Sequence, residues 1–372
     1  MKLTIERAAL MKSLNHVQSV VERRNTIPIL SNVLIDAAGD KMTLKATDLD
    51  IEIIETVPAE VATAGAVTVP AHMCYDIVRK FPDGAQVDLE TAKDGASLTL
   101  RCGKARFTLQ TLPKDDFPDL ATGEISHRFI IATAELKRLF DKTRFAMSSE
   151  ETRYYLNGIY LHAADAEGRM MLRAVATDGH RLARVEMPAP EGAAGMPGVI
   201  VPRKTVTEVG KLLEDQLAEV NVELSASKIR FSFSNATLTS KLIDGTFPDY
   251  ERVIPQGNDK TLLVGSARFA ESVDRVSTIS SERGRAVKLH LEAGRLTLSV
   301  NNPDSGSASE ELEVDYAGDS IEIGFNARYL LDIATQLEHE EACFEMADPG
   351  SPTLVRDASD TSALYVIMPM RV

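Results

Sequence analysis

Phe117-Pro118-Asp119-Leu120 returns 130 residues later as Phe247-Pro248-Asp249-Tyr250, and Thr47-Asp48-Leu49-Asp50 returns at the same distance as Thr177-Asp178-Gly179-His180. A third pair is close to register: Val69-Pro70-Ala71 opens an apolar-periodic stretch ending near Phe81, and Val201-Pro202-Arg203 opens another ending near Leu213. One short match would be noise. Three ordered matches at one spacing mark a repeat, and a repeat has to be found before elements are assigned. The last third lacks these matches but keeps the order of elements. There Gly324-Phe325-Asn326 opens a stretch with Tyr329, Leu330, Ile333 and Leu337 at helical spacing. Thr122-Gly123-Glu124 and Gln256-Gly257-Asn258 are turn-rich boundaries, so the chain is expected to divide into 1–124, 125–256 and 257–372.

Each third reads as two half-units of strand, helix and several strands. Leu3 and Ile5 alternate as a strand, and a helix from about Glu6 to Val21 turns Leu10, Leu14, Val17 and Val21 inward. Met42, Leu44 and Ala46, then Leu98, Leu100 and Cys102, then Phe107 and Leu109 keep the period of two that marks half-buried strands. Ile229, Phe231 and Phe233 with Leu238 and Leu242 read as a hairpin, and Leu296, Leu298 and Val300 as a strand of the last third. The expected class is α+β, antiparallel-rich, in three repeated domains.

At 372 residues, with 44% hydrophobic and 26% charged residues, the composition is globular and excludes disordered, collagenous and coiled-coil chains. No apolar run is long enough to span a membrane, and the N-terminus becomes charged before a signal-like run forms, so a cytosolic protein is expected. Cys74, Cys102 and Cys343 are odd in number, far apart and without a CxxC, as reduced core thiols would be. His16, His72, His127, His162, His180, His290 and His339 are scattered without metal-ligand spacing, and no phosphate-loop motif is present, so no cofactor is expected. The Gly- and Pro-rich run from Pro188 to Gly198 reads as a surface linker.

The net charge of -14 argues at first against nucleic acid. Its distribution argues otherwise. The six expected helices, 6–24, 71–81, 133–147, 202–213, 266–285 and 326–337, carry +8, which leaves -22 for the rest. Solvated helix faces explain such a contrast blandly; a shared surface facing an anion explains it functionally. Two chains would supply twelve helices, and at about 10 Å spacing these enclose a ring about 28 Å clear. A duplex of roughly 20 Å would pass through loosely, drawn by its phosphates without base readout.

Beyond the repeats, Arg24, Thr26-Ile27-Pro28-Ile29-Leu30, Arg153-Tyr154-Tyr155-Leu156-Asn157-Gly158, Ala176-Thr177-Asp178-Gly179-His180-Arg181-Leu182, Phe247-Pro248-Asp249-Tyr250 and Met368-Pro369-Met370-Arg371-Val372 stand in an order that resembles the bacterial sliding clamps, the β subunits of DNA polymerase III. The resemblance covers the whole chain. It implies a head-to-tail ring dimer of six similar domains, with antiparallel sheets outside and helices lining a hole around double-stranded DNA. It also implies a non-enzymatic processivity factor, with the replicative polymerase, an ATP-dependent clamp loader and repair factors as partners.

Carried over residue by residue, the resemblance places DNA contact on Arg24, His72, Glu150, Tyr154 and Tyr155. Two positions depart from the family pattern: His72 stands where members can carry Arg, and Glu150 where a neutral Gln can stand. A partner-peptide pocket is implied on Leu156, Thr177, Gly179, His180, Arg181, Leu182, Pro248, Arg252, Val253, Val366, Met368, Pro369, Met370 and Arg371. Leu, Val, Pro and Met offer an adaptable apolar surface, while Arg181, Arg252 and Arg371 can orient polar groups of a peptide. Without the family, Met368-Pro369-Met370 reads as a last edge strand and Asp178-Gly179-His180 as a turn. Two other functions stay open at this point: a peptide-binding scaffold that ignores DNA, and a hydrolase using Asp178 and His180 beside Thr177.

Overall fold

The computed structural model describes residues 1–214, 219–280 and 285–371, which pack as two compact units. The first is built from Met1–Lys137, Pro190–Ala193 and Lys204–Leu242; the second from Arg138–Ala189, Ala194–Arg203 and the chain from Ile243 onward. Six α-helices occur among the described residues: α1 Arg7–Val20, α2 Ala71–Arg79, α3 Thr133–Arg144, α4 Arg203–Glu214, α5 Ser266–Ser277 and α6 Ala327–Ala334. Each follows directly on a strand: Lys2–Glu6, Gly65–Pro70, His127–Ala132, Val199–Pro202, Lys260–Gly265 and Ile321–Asn326. The expected half-unit of strand, helix and further strands thus recurs six times. Helix starts are set locally. Asn326 caps α6 by accepting from the Arg328 backbone N–H at 2.9 Å, and Glu6 caps α1 through the Ala9 N–H at 3.0 Å.

The first unit holds a five-stranded sheet in the order Glu60–Thr63, Lys2–Glu6, Gln86–Thr91, Ser97–Cys102, Ala105–Gln110. Its eight-stranded sheet runs His127–Ala132, Glu219–Leu224, Lys228–Ser232, Ala236–Lys241, Ile51–Pro58, Lys41–Thr47, Asn32–Ala38, Gly65–Pro70. In the second unit an eight-stranded sheet runs Val199–Pro202, Gly158–Ala166, Arg169–Thr177, Arg181–Pro188, Ala363–Ile367, Thr353–Asp357, Glu341–Met346, Lys260–Gly265. A four-stranded sheet completes it: Gly306–Glu313, Arg295–Asn302, Ala286–Glu292, Ile321–Asn326. Each eight-stranded sheet is therefore two four-stranded half-units fused along an antiparallel seam. One seam pairs Ala236–Lys241 with Ile51–Pro58, the other Arg181–Pro188 with Ala363–Ile367.

The period of two sorts side chains as expected: Met42, Leu44, Ala46, Leu98 and Leu100 are fully buried, as are Leu10, Leu14 and Val17 of α1. Three local expectations shift. α1 stops at Val20 because Val21 turns to extended backbone, which leaves Arg23 and Arg24 beyond the helix. α3 ends at Arg144, before the expected Met147, and α5 at Ser277, with residues 281–284 of its expected span outside the described residues. The run 188–198 is not a free linker, since Ala193 and Met196 are buried. A Cβ on Gly192 would stand 2.1 Å from the Arg128 carbonyl oxygen.

One polar cluster sits inside the first unit. The Glu55 carboxylate accepts from Ser13 Oγ at 2.9 Å and Asn235 Nδ2 at 3.3 Å, and lies 2.8 Å from His16 Nδ1. It joins α1 to the strand Ile51–Pro58. Glu55→Ala strips several buried donors of one acceptor, at about 1–3 kcal/mol for each left unpaired. Urea unfolding should show a loss on that scale, and Glu55→Gln, which keeps one acceptor, a smaller one.

Candidate functional site

The second unit's seam begins at a tight turn. Asp178 Oδ1 accepts from the backbone N–H groups of His180 and Arg181 at 2.9 and 3.0 Å, and Thr177 Oγ1 donates to the Arg181 carbonyl at 2.7 Å. Gly179 takes φ +88°, a backbone conformation that favours glycine. From this turn the strand Arg181–Pro188 sets Leu182 beside Val366 of the partner strand. Leu156, Val175, Leu182, Phe247, Tyr250 and Val366 form a buried apolar cluster, and above it opens a hollow of about 280 Å³. Its walls are Arg153, Tyr155, Leu156, Thr177, Gly179, Arg181, Leu182, Pro248, Asp249, Tyr250, Val253, Val366 and Met368.

Nine of the fourteen residues expected in the pocket line this hollow: Leu156, Thr177, Gly179, Arg181, Leu182, Pro248, Val253, Val366 and Met368. The other five lie elsewhere. His180 stacks on the Tyr329 ring at 6.5 Å between centroids and faces an adjacent polar hollow. Arg252 pairs with Asp249 at 2.7 Å on the surface. Met370 donates its N–H to the Gly324 carbonyl at 2.8 Å, which ties the C-terminal run, including Pro369, to the strand Ile321–Asn326. Arg371 is exposed.

Arg181 does not act as a free peptide anchor. Its guanidinium donates to Asp178 Oδ2 at 3.1 Å, to Asp332 and to the Phe145 carbonyl at 2.7 Å, and stacks 4.4 Å from the Tyr329 ring centroid. The cation at the mouth is Arg153, clamped by Glu150 at 2.9 and 3.1 Å. Arg153 lies in the quoted Arg153-Tyr154-Tyr155 run, yet nothing in the sequence singled out its guanidinium. Asp178 and His180 do not form a catalytic pair, because the carboxylate takes the His180 backbone N–H while the ring turns to Tyr329.

A polar network stands behind the wall residue Tyr250. Arg173 donates to the Tyr250 hydroxyl at 3.2 Å, to Glu251 at 2.7 Å and to Glu186 at 2.7 Å. His162 Nε2 lies 3.1 Å from the same hydroxyl, and its Nδ1 3.1 Å from the Ala163 carbonyl. A carbonyl can only accept, so Nδ1 carries the proton and Nε2 accepts from Tyr250. Burial, and then the charge of Arg173, hold His162 below its ordinary value, while burial raises Tyr250. Tyr160 stacks between His162 and Phe247, with centroids at 4.6 and 4.8 Å.

The residues expected to meet DNA are differently placed. In the first unit Arg24 is exposed, whereas the His72 ring lies 2.9 Å from the Val21 carbonyl and is half-buried. In the second unit Glu150 is engaged by Arg153. Tyr154 is 53% exposed and packs edge-on against Tyr155, which also lines the hollow.

Models of the three domains of the DNA polymerase III beta subunit match residues 1–121 (N-terminal), 130–249 (central) and 251–371 (C-terminal). The beta sliding clamp of Caulobacter vibrioides is 57% identical over 372 residues and that of Escherichia coli K12 38% over 373, each covering all of both chains. Among solved structures, a C. crescentus beta sliding clamp with bound PEG superposes with a TM-score of 0.97 at 57% identity, covering 100% of this chain and 99% of that one. A DnaN sliding clamp from Bartonella birtlesii bound to griselimycin gives 0.96 at 54% identity, with full coverage of both. The repeated half-units define a protein of the clamp fold. The chain belongs to the DNA polymerase III beta subunit family.

The His162 geometry has a consequence for stability. A folded value below the ordinary 6.5 favours the neutral ring in the native state, so the contribution is intact above pH 6.5 and is lost as pH falls below it. His162→Gln should flatten the acid limb of the curve of Tm against pH just below 6.5, measured by thermal unfolding across that range.

Proposed function

We propose that the chain is a sliding clamp and processivity factor: a head-to-tail homodimer that encircles duplex DNA, slides, and tethers the replicative polymerase through the hollow at the second seam. Family membership over the whole length carries this reading. The three stretches 1–124, 125–256 and 257–372 are then three copies of one unit. No chemistry is required of the protein, and no cofactor. Tethering raises the polymerase's effective concentration at the primer end, and that alone raises processivity. A closed ring cannot thread itself onto circular DNA, so an ATP-dependent loader is its partner. The place of action on this reading is the cytoplasm; among the described residues no helix is long and apolar enough to cross a membrane.

The sheet orders support closure by two copies. Within the chain, half-units fuse into eight-stranded sheets, but the five-stranded sheet ends on Ala105–Gln110 and the four-stranded sheet on Gly306–Glu313. By the repeat, these edges correspond to the strands that meet at the two internal seams. An unpaired edge is a template for pairing, and a heterologous contact that closes after two copies makes a ring. The charges agree: Arg101, Lys104 and Arg106 lie on or beside one edge, and Glu310, Glu311 and Glu313 on the other. Phe107, 40% exposed, is its apolar centre.

DNA contact on this reading is light. Arg24 offers a free guanidinium to phosphate, and Tyr154 an exposed ring for stacking. His72 and Glu150 are committed to protein partners and add little. The pocket combines a rigid apolar floor with Met368 and Val253 at its rim, an adaptable surface for short peptides of several partners. Griselimycin, found on the Bartonella clamp, is a ready probe of it.

Retention on nicked circular DNA, loaded with a cognate loader and ATP, tests encirclement. The protein should stay on the circle and leave by the ends once the DNA is cut; equal retention on both forms would make it an ordinary duplex binder. A separate check is Arg106→Glu with Phe107→Asp, which should shift the sedimentation coefficient from dimer to monomer without loss of folded structure.

A further inference from the structure

We propose that the first unit's seam is a copy of the peptide pocket that charged side chains keep shut, so that each chain offers one peptide site and not two. This rests on the pocket reading above. The two seams share their backbone bond for bond. Thr47 Oγ1 donates to the Ile51 carbonyl at 2.9 Å as Thr177 Oγ1 does to that of Arg181 at 2.7 Å. Asp48 Oδ1 accepts from the Asp50 and Ile51 N–H groups at 2.9 and 2.8 Å, as Asp178 does from His180 and Arg181. Lys241 N–H donates to the Asp50 carbonyl at 2.8 Å where Met368 N–H donates to that of His180 at 2.9 Å. Thr239 faces Glu52 in register as Val366 faces Leu182.

The side chains at these matched places are of opposite character. Glu52 stands for Leu182, Thr239 for Val366, Lys241 for Met368 and Lys45 for Val175. Glu52 is 5% exposed, and its Oε2 lies 3.0 Å from Lys45 Nζ and accepts the Leu120 N–H at 3.1 Å. Lys45 also pairs with Asp119 of the first Phe-Pro-Asp motif and sits 5.9 Å over the Phe117 ring. Lys241 reaches back to Asp50 at 2.9 Å. An apolar peptide residue entering here would have to separate this pair and bury its charges unpartnered. At the second seam the same residue meets Leu182, Val366 and Met368, and displaces only water.

Calorimetric titration of the full chain with griselimycin tests this. One equivalent per chain is expected, and none after Leu182→Glu with Met368→Lys, which carries the closing charges to the second seam. Lys45→Val, Glu52→Leu, Thr239→Val and Lys241→Met together should admit a second equivalent. Two equivalents on the unaltered chain, or one on the folded four-site variant, overturn the inference while the pocket stands. No binding to the unaltered chain overturns the pocket reading and this inference with it. Should the four-site variant fail to fold, binding at full strength by a folded Leu182→Glu, Met368→Lys variant overturns the pocket reading and the inference with it.

Discussion

The pairing of Arg181–Pro188 with Ala363–Ile367 is the contact on which the rest of the second unit depends. It joins segments distant in sequence into one sheet and brings Leu182 and Val366 side by side, close enough to act as one apolar surface. Its register is set at the turn, where Asp178 binds two successive backbone N–H groups. It is locked beneath by Arg181, whose buried charge is tolerated because every arm of the guanidinium is bonded and aromatic rings flank it. Slipping the register by one residue would turn Leu182 away from the face it shares with Val366. The pocket is thus a by-product of sheet fusion: Leu156, Phe247 and Tyr250 pack onto a floor that exists only when the seam is closed.

Charge has a weaker hold on the reading than the sequence alone implies. With the observed bounds the helices carry thirteen basic and eight acidic residues, +5, against -19 for everything else. The expected +8 shrinks chiefly because Arg23, Arg24, Lys80 and Arg285 fall outside the observed helices. The contrast survives, and its modest size suits a clamp. A ring held on DNA by topology needs attraction enough to centre the duplex and too little to stall sliding, and tight phosphate binding would make mobility depend steeply on salt.

The half-units, all six helices and most strand faces were legible because periodicity and helix starts are local signals. Gly324-Phe325-Asn326 opened a helix as read, through an Asn326 cap that needs no distant partner. What was illegible is non-local. Nothing in residues 363–367 says that they pair with 181–185, and the fate of Arg181 depends on Asp332, Phe145 and Tyr329, far away in sequence. The network of Arg173, His162 and Tyr250 was missed for the same reason: its members lie on separate segments and share no spacing. Met370 and Arg371 were placed in the pocket by the resemblance alone, with no local signal of their own. In the structure the Met370 N–H donates to the Gly324 carbonyl, which ties the C-terminal run to the strand Ile321–Asn326.

The two seams also show how one backbone yields two surfaces. Residues 51 and 52, like 181 and 182, are successive strand positions and so face opposite sides of their sheets. Each seam buries one charge at this pair, but on opposite sides: Ile51 with Glu52 in one, Arg181 with Leu182 in the other. Each charge recruits its own partners, Lys45 and the Leu120 N–H for Glu52, Asp178 and Asp332 for Arg181. The side that receives the charge is filled by those partners, and the opposite side stays apolar. On the proposed reading, binding at the second seam follows from tying the charge up in partners of its own at the hollow's wall, so that a fully bonded Arg181 braces the strand while its neighbour Leu182 presents an apolar surface.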